Sequence, residues 1–577
     1  MENVERPASP GVTELRRLLA AASDDAAREP LLAELAAALR GQDPDAAVAC
    51  LREAIGLARD GRACRRMSRH AIDAAELLGD HGRWAEAMTF LDSIAEAAGL
   101  AQTDSDREIV LGQRDYVESD IAYRRADFRR ARELAEQADR HWAAAGLVAG
   151  RQAVQVMLGN IAILTGDLGE ALEHQKAAIE LASRAGDADA RLNAAFNYSL
   201  TLRDLGRWDD ATDVLEQVSA DEAIGRDSLL CAQVFSVLGE LLLLRDRVDE
   251  AIVVLRRSVE MSSDAPRLTT ARLDALLNLG RAQHRRGDLA AARDTYLRVI
   301  GDANSSGEAV TGSDVRCRLA ELLLDAGDAV SARDWCLQSR ALARKHGLRT
   351  MEAMALRVEG VLLSAEGERD RAARFFEDAA RLLADKDDSY ELALVRLEQG
   401  RLLEGSGDAE SAVRLLHDAD RTFRRLGAVR EAIAVNQLLF DLRRGTDADS
   451  ALVEAVAGLL SVGLEPAAFC REVLDRACDA YGYERGAVLK RGRPVAKRGE
   501  PDMTRAERPG RPYEGEVGPG WLLWPVLWGD TVAGGIYLER DPSTGAGRYP
   551  LALGAVAALL AGPLSGLPGS DVCVQPA

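Results

Sequence analysis

A short phrase recurs at a nearly constant interval along most of the chain, and it constrains the fold more than any other feature of the sequence. In a clear copy, Gly166-Asp167-Leu168-Gly169-Glu170-Ala171, a glycine and a polar residue lead to an alanine that opens an amphipathic run. The closing alanines lie 40 to 44 residues apart. Such a period predicts one helix pair per repeat, with the pairs stacked on one another. These alanines are Ala87, Ala131, Ala171, Ala211, Ala251, Ala292, Ala332, Ala372 and Ala412, with a weaker first copy at Ala47.

Each part of the phrase has a role at a helix boundary. The glycine is suited to end one helix in a left-handed turn, and the polar residue caps the next helix. A second small residue stands twelve residues before each alanine from Ala87 onward, so we expect two small residues to meet where the helices of a pair cross. A larger residue there should overpack the crossing. The second set is Ala75, Ser119, Gly159, Ser199, Gly239, Gly280, Ala320, Gly360 and Gly400.

Proline use separates the chain into two parts. Of 17 prolines, only Pro44 and Pro266 fall between residues 31 and 464, whereas twelve fall in the last 113 residues. Long helices require that absence, because a proline inside a helix removes a hydrogen bond and clashes with the preceding turn. The sequence therefore predicts a helical array that gives way to a different fold near residue 464.

The repeated phrase resembles the tetratricopeptide repeat, with its helix-A glycine, its helix-B alanine and, in several copies, a further alanine seven residues on. That repeat has a usual period of about 34 residues. The longer period here resembles the long-repeat arrays of bacterial signalling regulators and predicts longer helices. The resemblance implies a mostly α fold: a right-handed α-solenoid of tetratricopeptide-like helix pairs, followed by a small α+β domain.

We predict five segments. Residues 1–30 form an N-terminal helix or cap, 31–445 an array of about ten repeats, and 446–464 a capping or linker helix. Residues 465–566 form the α+β domain, and 567–577 a flexible tail.

In such arrays the concave wall, lined by the first helix of each pair, is the expected binding surface. Tetratricopeptide groups that bind peptide carboxylates use asparagine and basic side chains from successive helices, and arginine can hold a carboxylate in two hydrogen bonds. The alternative is a wall of solvated polar residues without a specific partner. The polar residues beside the small helix-A positions are Asn160, Asn197, Arg203, Asn278, Arg281, Arg285 and Arg401.

The charge of the chain bears on its partners. The net charge is −20, and residues 465–577 carry 13 basic and 14 acidic side chains, so nearly all of the excess lies in the repeats. A surface of this sign repels phosphate backbones and favours basic or amphipathic partners. We therefore expect a protein or peptide partner, no direct contact with nucleic acid, and no membrane.

The last part of the chain has a mixed pattern. A helix is predicted from Pro466 to Gly482, two short strands over 484–490 and 494–497, a loop over 499–519, and a final helix over about 548–562. The strongest strand signal, Trp521 to Trp528, leads through Gly529-Asp530 to a partner strand ending at Glu539. This order resembles a GAF domain that lacks the central elements of that family, and it implies a role in dimerisation or docking.

Three aromatic residues on the predicted hairpin, Trp521, Trp524 and Trp528, together with Tyr537, are candidates for a ligand or partner surface. Alternation along a strand places Trp524 and Trp528 on one face and Trp521 on the other. The alternative is a structural role, because a short sheet beneath helices needs large apolar side chains. If the residues do form a pocket, the protein is a small-molecule sensor instead of a scaffold.

Catalytic motifs are missing from the sequence. We find no metalloprotease, phosphate-loop, nucleophile-elbow or dinucleotide phrase, and all seven histidines lie in the helical array. The eight cysteines are dispersed, as in reduced cytoplasmic proteins, and the N-terminus lacks a signal-peptide pattern. The apolar run from Leu551 to Leu564 is too short to span a bilayer. We expect a cytoplasmic, non-enzymatic protein without a cofactor.

Overall fold

The computed structural model describes residues 11–221, 228–262, 269–384, 389–405, 407–444, 447–490, 493–502, 516–518, 521–528, 531–540 and 552–566. The chain forms two compact units. The first comprises Met1–Leu205 with Asp213–Leu230, and the second comprises Gly206–Thr212 with Cys231–Ala577. Within the described residues no helix is both long enough and apolar enough to cross a membrane.

Antiparallel helix pairs make up both units up to residue 444. The helices are α1 (Val12–Ala21), α2 (Asp25–Leu39), α3 (Pro44–Asp60), α4 (Cys64–Asp80), α5 (Trp84–Gly99), α6 (Asp104–Arg124), α7 (Phe128–Ala144), α8 (Val148–Thr165), α9 (Leu168–Ala185), α10 (Ala188–Asp204), α11 (Trp208–Ala220), α12 (Ser228–Leu244), α13 (Val248–Met261), α14 (Thr269–Arg286), α15 (Leu289–Ser306), α16 (Ala309–Asp325), α17 (Ala329–Lys345), α18 (Arg349–Ala365), α19 (Arg369–Leu382), α20 (Tyr390–Glu404), α21 (Ala409–Leu426) and α22 (Val429–Arg444). The mostly α fold class and the helical repeats are confirmed. The boundary predicted at residue 30 falls inside α2, because that helix begins at Asp25 and contains Pro30.

The recurring phrase forms the turn between the helices of a pair. Gly166 ends α8 in the left-handed region with φ of 86°, and Asp167 accepts a hydrogen bond from the backbone amide of Glu170 in the first turn of α9. Where the phrase lacks glycine, another residue adopts that conformation: φ is 60° at Ala126 and 62° at Asp246. The geometry of the turn is therefore retained even where glycine is absent.

The helix-A glycines accommodate large side chains of helix B. A Cβ added to Gly280 would lie 2.4 Å from the ring of Tyr296, and one added to Gly360 would lie 2.6 Å from the ring of Phe376. Tyr296 and Phe376 stand four residues after the alanines Ala292 and Ala372. The expected contact between two small residues is thus incomplete, because the space left by each of these glycines is filled by the bulky residue one turn beyond the alanine.

The second unit curves so that its beginning contacts helices near its end. A Cβ added to Gly206 would lie 2.5 Å from Leu426. The Trp208 ring lies 5.9 Å from that of Tyr390, centroid to centroid. Arg285 of α14 pairs with Glu431 of α22 at 3.0 Å across a separation of 146 residues. These contacts place helices that are far apart in sequence around a common interior.

A small α+β region follows the repeats in the second unit. It contains α23 (Ala448–Leu460), α24 (Pro466–Tyr481), β1 (Arg485–Lys490), β2 (Arg493–Arg498), β3 (Glu516–Gly518), β4 (Trp521–Trp528), β5 (Thr531–Glu539) and α25 (Leu553–Gly566). The described strands form one antiparallel sheet in the order β2-β1-β5-β4-β3. Because β1 pairs with β5, the two predicted hairpins belong to one sheet.

Two details of this region differ from the sequence prediction. β3 lies within the stretch predicted as a loop and pairs with the start of β4. The last helix starts at Leu553 and continues through Pro563 to Gly566. Residues 548–551 of the predicted helix, and the predicted tail over 567–577, lie outside the described residues.

The helix predicted as a cap or linker is part of the core of the α+β region. Leu452, Val456 and Leu459 of α23 are buried in one apolar cluster with Phe440 of α22 and Val473 of α24. Asp449 of α23 also accepts hydrogen bonds from the Tyr481 hydroxyl at 2.6 Å and from the Ala552 amide at 3.1 Å. The last repeat helix and the sheet are therefore joined by continuous packing.

Candidate functional site

A cavity of about 310 Å³ lies on the inner wall of the second unit. Its wall comes mainly from α14, α16, α18, α20 and α22, with Tyr296 of α15. Two positions of the repeat recur on the cavity wall. One directly follows the small helix-A residue, and the other lies two residues before that small residue. The first position supplies Arg281, Glu321, Val361 and Arg401, and the second supplies Arg318, Val358 and Glu398.

The wall is more basic than the chain as a whole. Among the described residues that line the cavity there are six arginines and four carboxylates, an excess of two positive charges. The chain itself carries −20. Charges at short range inside a partly buried cavity dominate over distant surface charges, which solvent and salt screen. The arginines are Arg281, Arg285, Arg318, Arg357, Arg401 and Arg430, and the carboxylates are Glu321, Asp325, Glu398 and Glu431.

One side of the cavity is organised by Glu321. Arg318 lies 3.1 Å from this carboxylate and 3.0 Å from Asp314, and Arg357 donates to Glu321 from the next helix pair. Burial opposes the charge of Glu321, but the guanidinium groups of Arg318 and Arg357 outweigh it and lower its pKa to about 2. Glu321 is therefore ionised at neutral pH and holds the two arginines in position.

The other side is organised by Glu431. Its Oε1 accepts hydrogen bonds from Arg285 and from the Tyr390 hydroxyl, both at 3.0 Å. The Tyr390 ring lies between those of Trp208 and Phe423, with centroid distances of 5.9 and 5.8 Å. Burial raises the pKa of Tyr390 above its ordinary value, so this hydroxyl remains a hydrogen-bond donor.

The residues predicted from the sequence are divided between the two units. Arg281, Arg285 and Arg401 line the cavity, and Asn278 accepts a hydrogen bond from Arg281 at 2.7 Å. Asn160 and Asn197 lie half-buried on α8 and α10 of the first unit, and Arg203 there pairs with Asp204 at 3.1 Å; none of the three lines this cavity.

Sequence reasoning missed several residues of the cavity wall. Arg318, Glu321 and Glu398 stand at the two recurring positions and could have been found by reading those positions through every repeat. Tyr390 and Glu431 had no such signal, because they reach the cavity through contacts with Trp208 and Arg285, which are far away in sequence.

The first unit contains a larger cavity, of about 450 Å³. Several polar groups on its wall have partners within the chain. The Trp142 indole donates to the Ile109 carbonyl at 3.1 Å, Gln113 accepts from Ser68 at 2.7 Å, and Asp120 pairs with Arg124 at 2.8 Å. This wall carries three charged side chains, whereas the wall of the cavity in the second unit carries ten, and we take the latter cavity as the candidate site.

The aromatic candidates of the α+β region do not form one surface. Trp524 packs on the sheet face covered by α24 and α25, beside Leu522 and Val526. Trp521 lies on the opposite face with Tyr537, at a centroid distance of 6.3 Å. The Trp528 side chain lies outside the described residues.

The solved structures that resemble this chain have low sequence identity to it. The apo form of the quorum sensor NprR from B. thuringiensis is 11% identical, with 61% of this chain and 98% of that chain covered and a TM-score of 0.48. The apo form of RapI is 12% identical, with 48% and 98% covered and a TM-score of 0.41. A Rap protein complexed with competence and sporulation factor is 12% identical, with 65% and 97% covered and a TM-score of 0.38. At these values the similarities assign neither a function nor a partner to this chain.

Comparison with family models is more specific. No curated protein matches the chain. Models of the tetratricopeptide repeat match residues 151–221, 199–266 and 270–309, which include α14 of the cavity wall. The chain therefore carries tetratricopeptide repeats in this central stretch.

Proposed function

We propose that this protein is a non-catalytic regulatory scaffold of bacterial signalling that binds a protein or peptide on the inner wall of its repeats. The observation that carries the proposal is the recurrence of polar wall residues at the same two repeat positions in α14, α16 and α20, around one cavity. A periodic wall suits an extended chain, because successive repeats offer side chains at regular intervals along its length.

Arg281 and Arg401 are the wall residues best suited to a test. Each is held by a neighbour on its own helix: Arg281 bonds Asn278 at 2.7 Å, and Arg401 pairs with Glu398 at 3.3 Å. Removing both guanidinium groups changes the wall without disturbing the pairing of Glu321 with Arg318 and Arg357. Arg293 and Arg374, exposed on α15 and α19, serve as matched controls.

The test is selection of peptides from a displayed random library by the full chain, followed by affinity measurement. The double variant Arg281→Ala with Arg401→Ala should bind the selected peptides at least about tenfold more weakly, which is the loss of affinity expected when charged contacts are removed. Arg293→Ala with Arg374→Ala should leave the affinity unchanged. Equal loss in both variants, or no selected peptide, would contradict the proposal.

We propose, from the resemblance of the α+β region to a GAF domain, that this region serves in homodimerisation or docking. We also propose a cytoplasmic location and a division of the chain into a repeat array and an α+β domain that meet near residue 464.

A further inference from the structure

Three residues that line the candidate cavity carry buried polar atoms with no hydrogen-bond partner in the described part of the chain. They are the Tyr296 hydroxyl, Nε of Arg357 and Oε2 of Glu431. The three residues line the same cavity and are 0%, 6% and 8% exposed. Buried polar groups in folded proteins almost always have partners, so three such atoms on residues around one cavity require an explanation.

The unpaired atoms have complementary roles. The Arg357 Nε–H is a donor, and the Tyr296 hydroxyl acts as one toward an anion, because burial raises its pKa above the ordinary value and keeps it protonated. Glu431 Oε2 is an acceptor, and its companion Oε1 is already occupied by Arg285 and Tyr390. A ligand that satisfies all three must offer an acceptor to Tyr296 and Arg357 and a donor to Glu431.

The charge and the size of the cavity narrow the choice of ligand. Guanidinium groups outnumber carboxylates on the wall, which favours a ligand carrying an anionic group. The carboxylate of Glu431 favours a cationic donor at its free oxygen. A volume of about 310 Å³ is at the lower end of the usual range for ligand cavities, which starts at about 300 Å³.

We propose that the cavity is a binding site for a small zwitterion of amino-acid or dipeptide size. Its carboxylate is bound by Arg357 and the Tyr296 hydroxyl, and its ammonium group by Glu431. The site shares the inner wall with the proposed protein-binding surface, but it does not depend on that function. The net charge of −20 favours basic partners, whereas this site binds an anionic group of its ligand between arginines.

The first experiment is a calorimetric titration of the full chain with the standard free amino acids and their glycyl dipeptides. At least one probe should bind, and its N-acetylated and carboxamide forms should bind at least about tenfold more weakly, because each lacks one of the two charges. Absence of binding by every probe at millimolar concentration would overturn the proposal, as would equal binding of the capped forms.

The second experiment uses Tyr296→Phe, which removes the hydroxyl and keeps the ring that fills the space beside Gly280. The affinity for the probe should fall about fivefold to tenfold, as expected for the loss of one hydrogen bond to a charged group. Tyr116→Phe, in the cavity of the first unit, is the matched control and should bind as the unaltered chain does. Unchanged affinity in Tyr296→Phe would overturn the assignment.

Glu431→Gln completes the set. This variant keeps the shape of the side chain and removes the charge that holds the ammonium group. The affinity for the probe with its ammonium group should therefore fall, whereas the affinity for the N-acetylated form should not. Equal weakening of both forms would contradict the role given to Glu431. Peptide selection with the Arg281 and Arg401 variant separates the two proposals, because it reports on the wall even if no small zwitterion binds.

Discussion

At the scale of single residues, the turn between the helices of a pair is the most uniform feature. Gly166 has a left-handed backbone, and a Cβ added to it would meet nothing within 4 Å. Ala126 adopts the same conformation in its own repeat with φ of 60°. A residue with a Cβ is strained there by about 1–2 kcal/mol, whereas glycine is not.

Exchanging these residue types should therefore shift stability in opposite directions. Ala126→Gly should stabilise the α6–α7 pair, and Gly166→Ala should destabilise the α8–α9 pair, each by about 1 kcal/mol. Hydrogen exchange of the first amides of α7 and α9 measures the two effects locally. Slower exchange at Gly166→Ala, or faster exchange at Ala126→Gly, would show that backbone strain is not the controlling factor.

At the scale of elements, α22 belongs to two structures at once. Near its N-terminus Glu431 forms part of the cavity wall. Farther along, Asn436 accepts a hydrogen bond from Nε of Arg476 on α24 at 2.9 Å and donates to the Ala455 carbonyl on α23 at 3.1 Å. Arg476 is only 1% exposed, so its charge depends on partners within the protein.

Loss of Asn436 as the acceptor for Arg476 should lower the stability of the protein. Asn436→Leu leaves the buried Arg476 guanidinium without one acceptor and should destabilise the junction by about 2–3 kcal/mol. Gln437→Leu, one residue along α22, removes only a half-buried bond to Asp441 and should have a small effect. Scanning calorimetry of the full chain compares the two variants. Equal unfolding temperatures would contradict a structural role for the Asn436–Arg476 bond.

The elements also show how far the sequence can predict this molecule. The helix pairs follow from the 40-residue period because glycine, capping aspartate and alanine act locally. Arg281 and Arg401 can be placed on the inner wall because each directly follows a small helix-A residue. Tyr390 and Glu431 could not be assigned, since their partners Trp208 and Arg285 are brought near only by the curvature of the whole stack.

Local patterns in its strands and helices predict the α+β region, but they do not predict its dependence on the repeats. Val456 of α23 and Phe440 of α22 are buried in the same apolar cluster as the residues beneath the sheet. Nothing in the sequence of α23 distinguishes a helix that caps the repeats from one that completes the core of the next region. The packing alone decides between them.

At the scale of the whole molecule, this shared core predicts how fragments behave. A fragment of residues 465–577 lacks α22 and α23. The apolar surface of the α+β region that packs against these two helices is then exposed, so the fragment should aggregate. A fragment of residues 409–577 retains both helices and should be monodisperse. Light scattering after size-exclusion chromatography compares the two. A well-folded, monodisperse 465–577 fragment would show that the sheet region folds independently of the repeats.

The contact between Arg285 and Glu431 has a consequence for how this protein can change over evolution. In an open stack of repeats, gaining or losing a unit lengthens or shortens the molecule and leaves the remaining units intact. Here the units between α14 and α22 set the rotation that brings these two residues together. Duplication or deletion of one unit would separate the pair and displace Tyr390 from Trp208, so the copy number of this segment should resist variation.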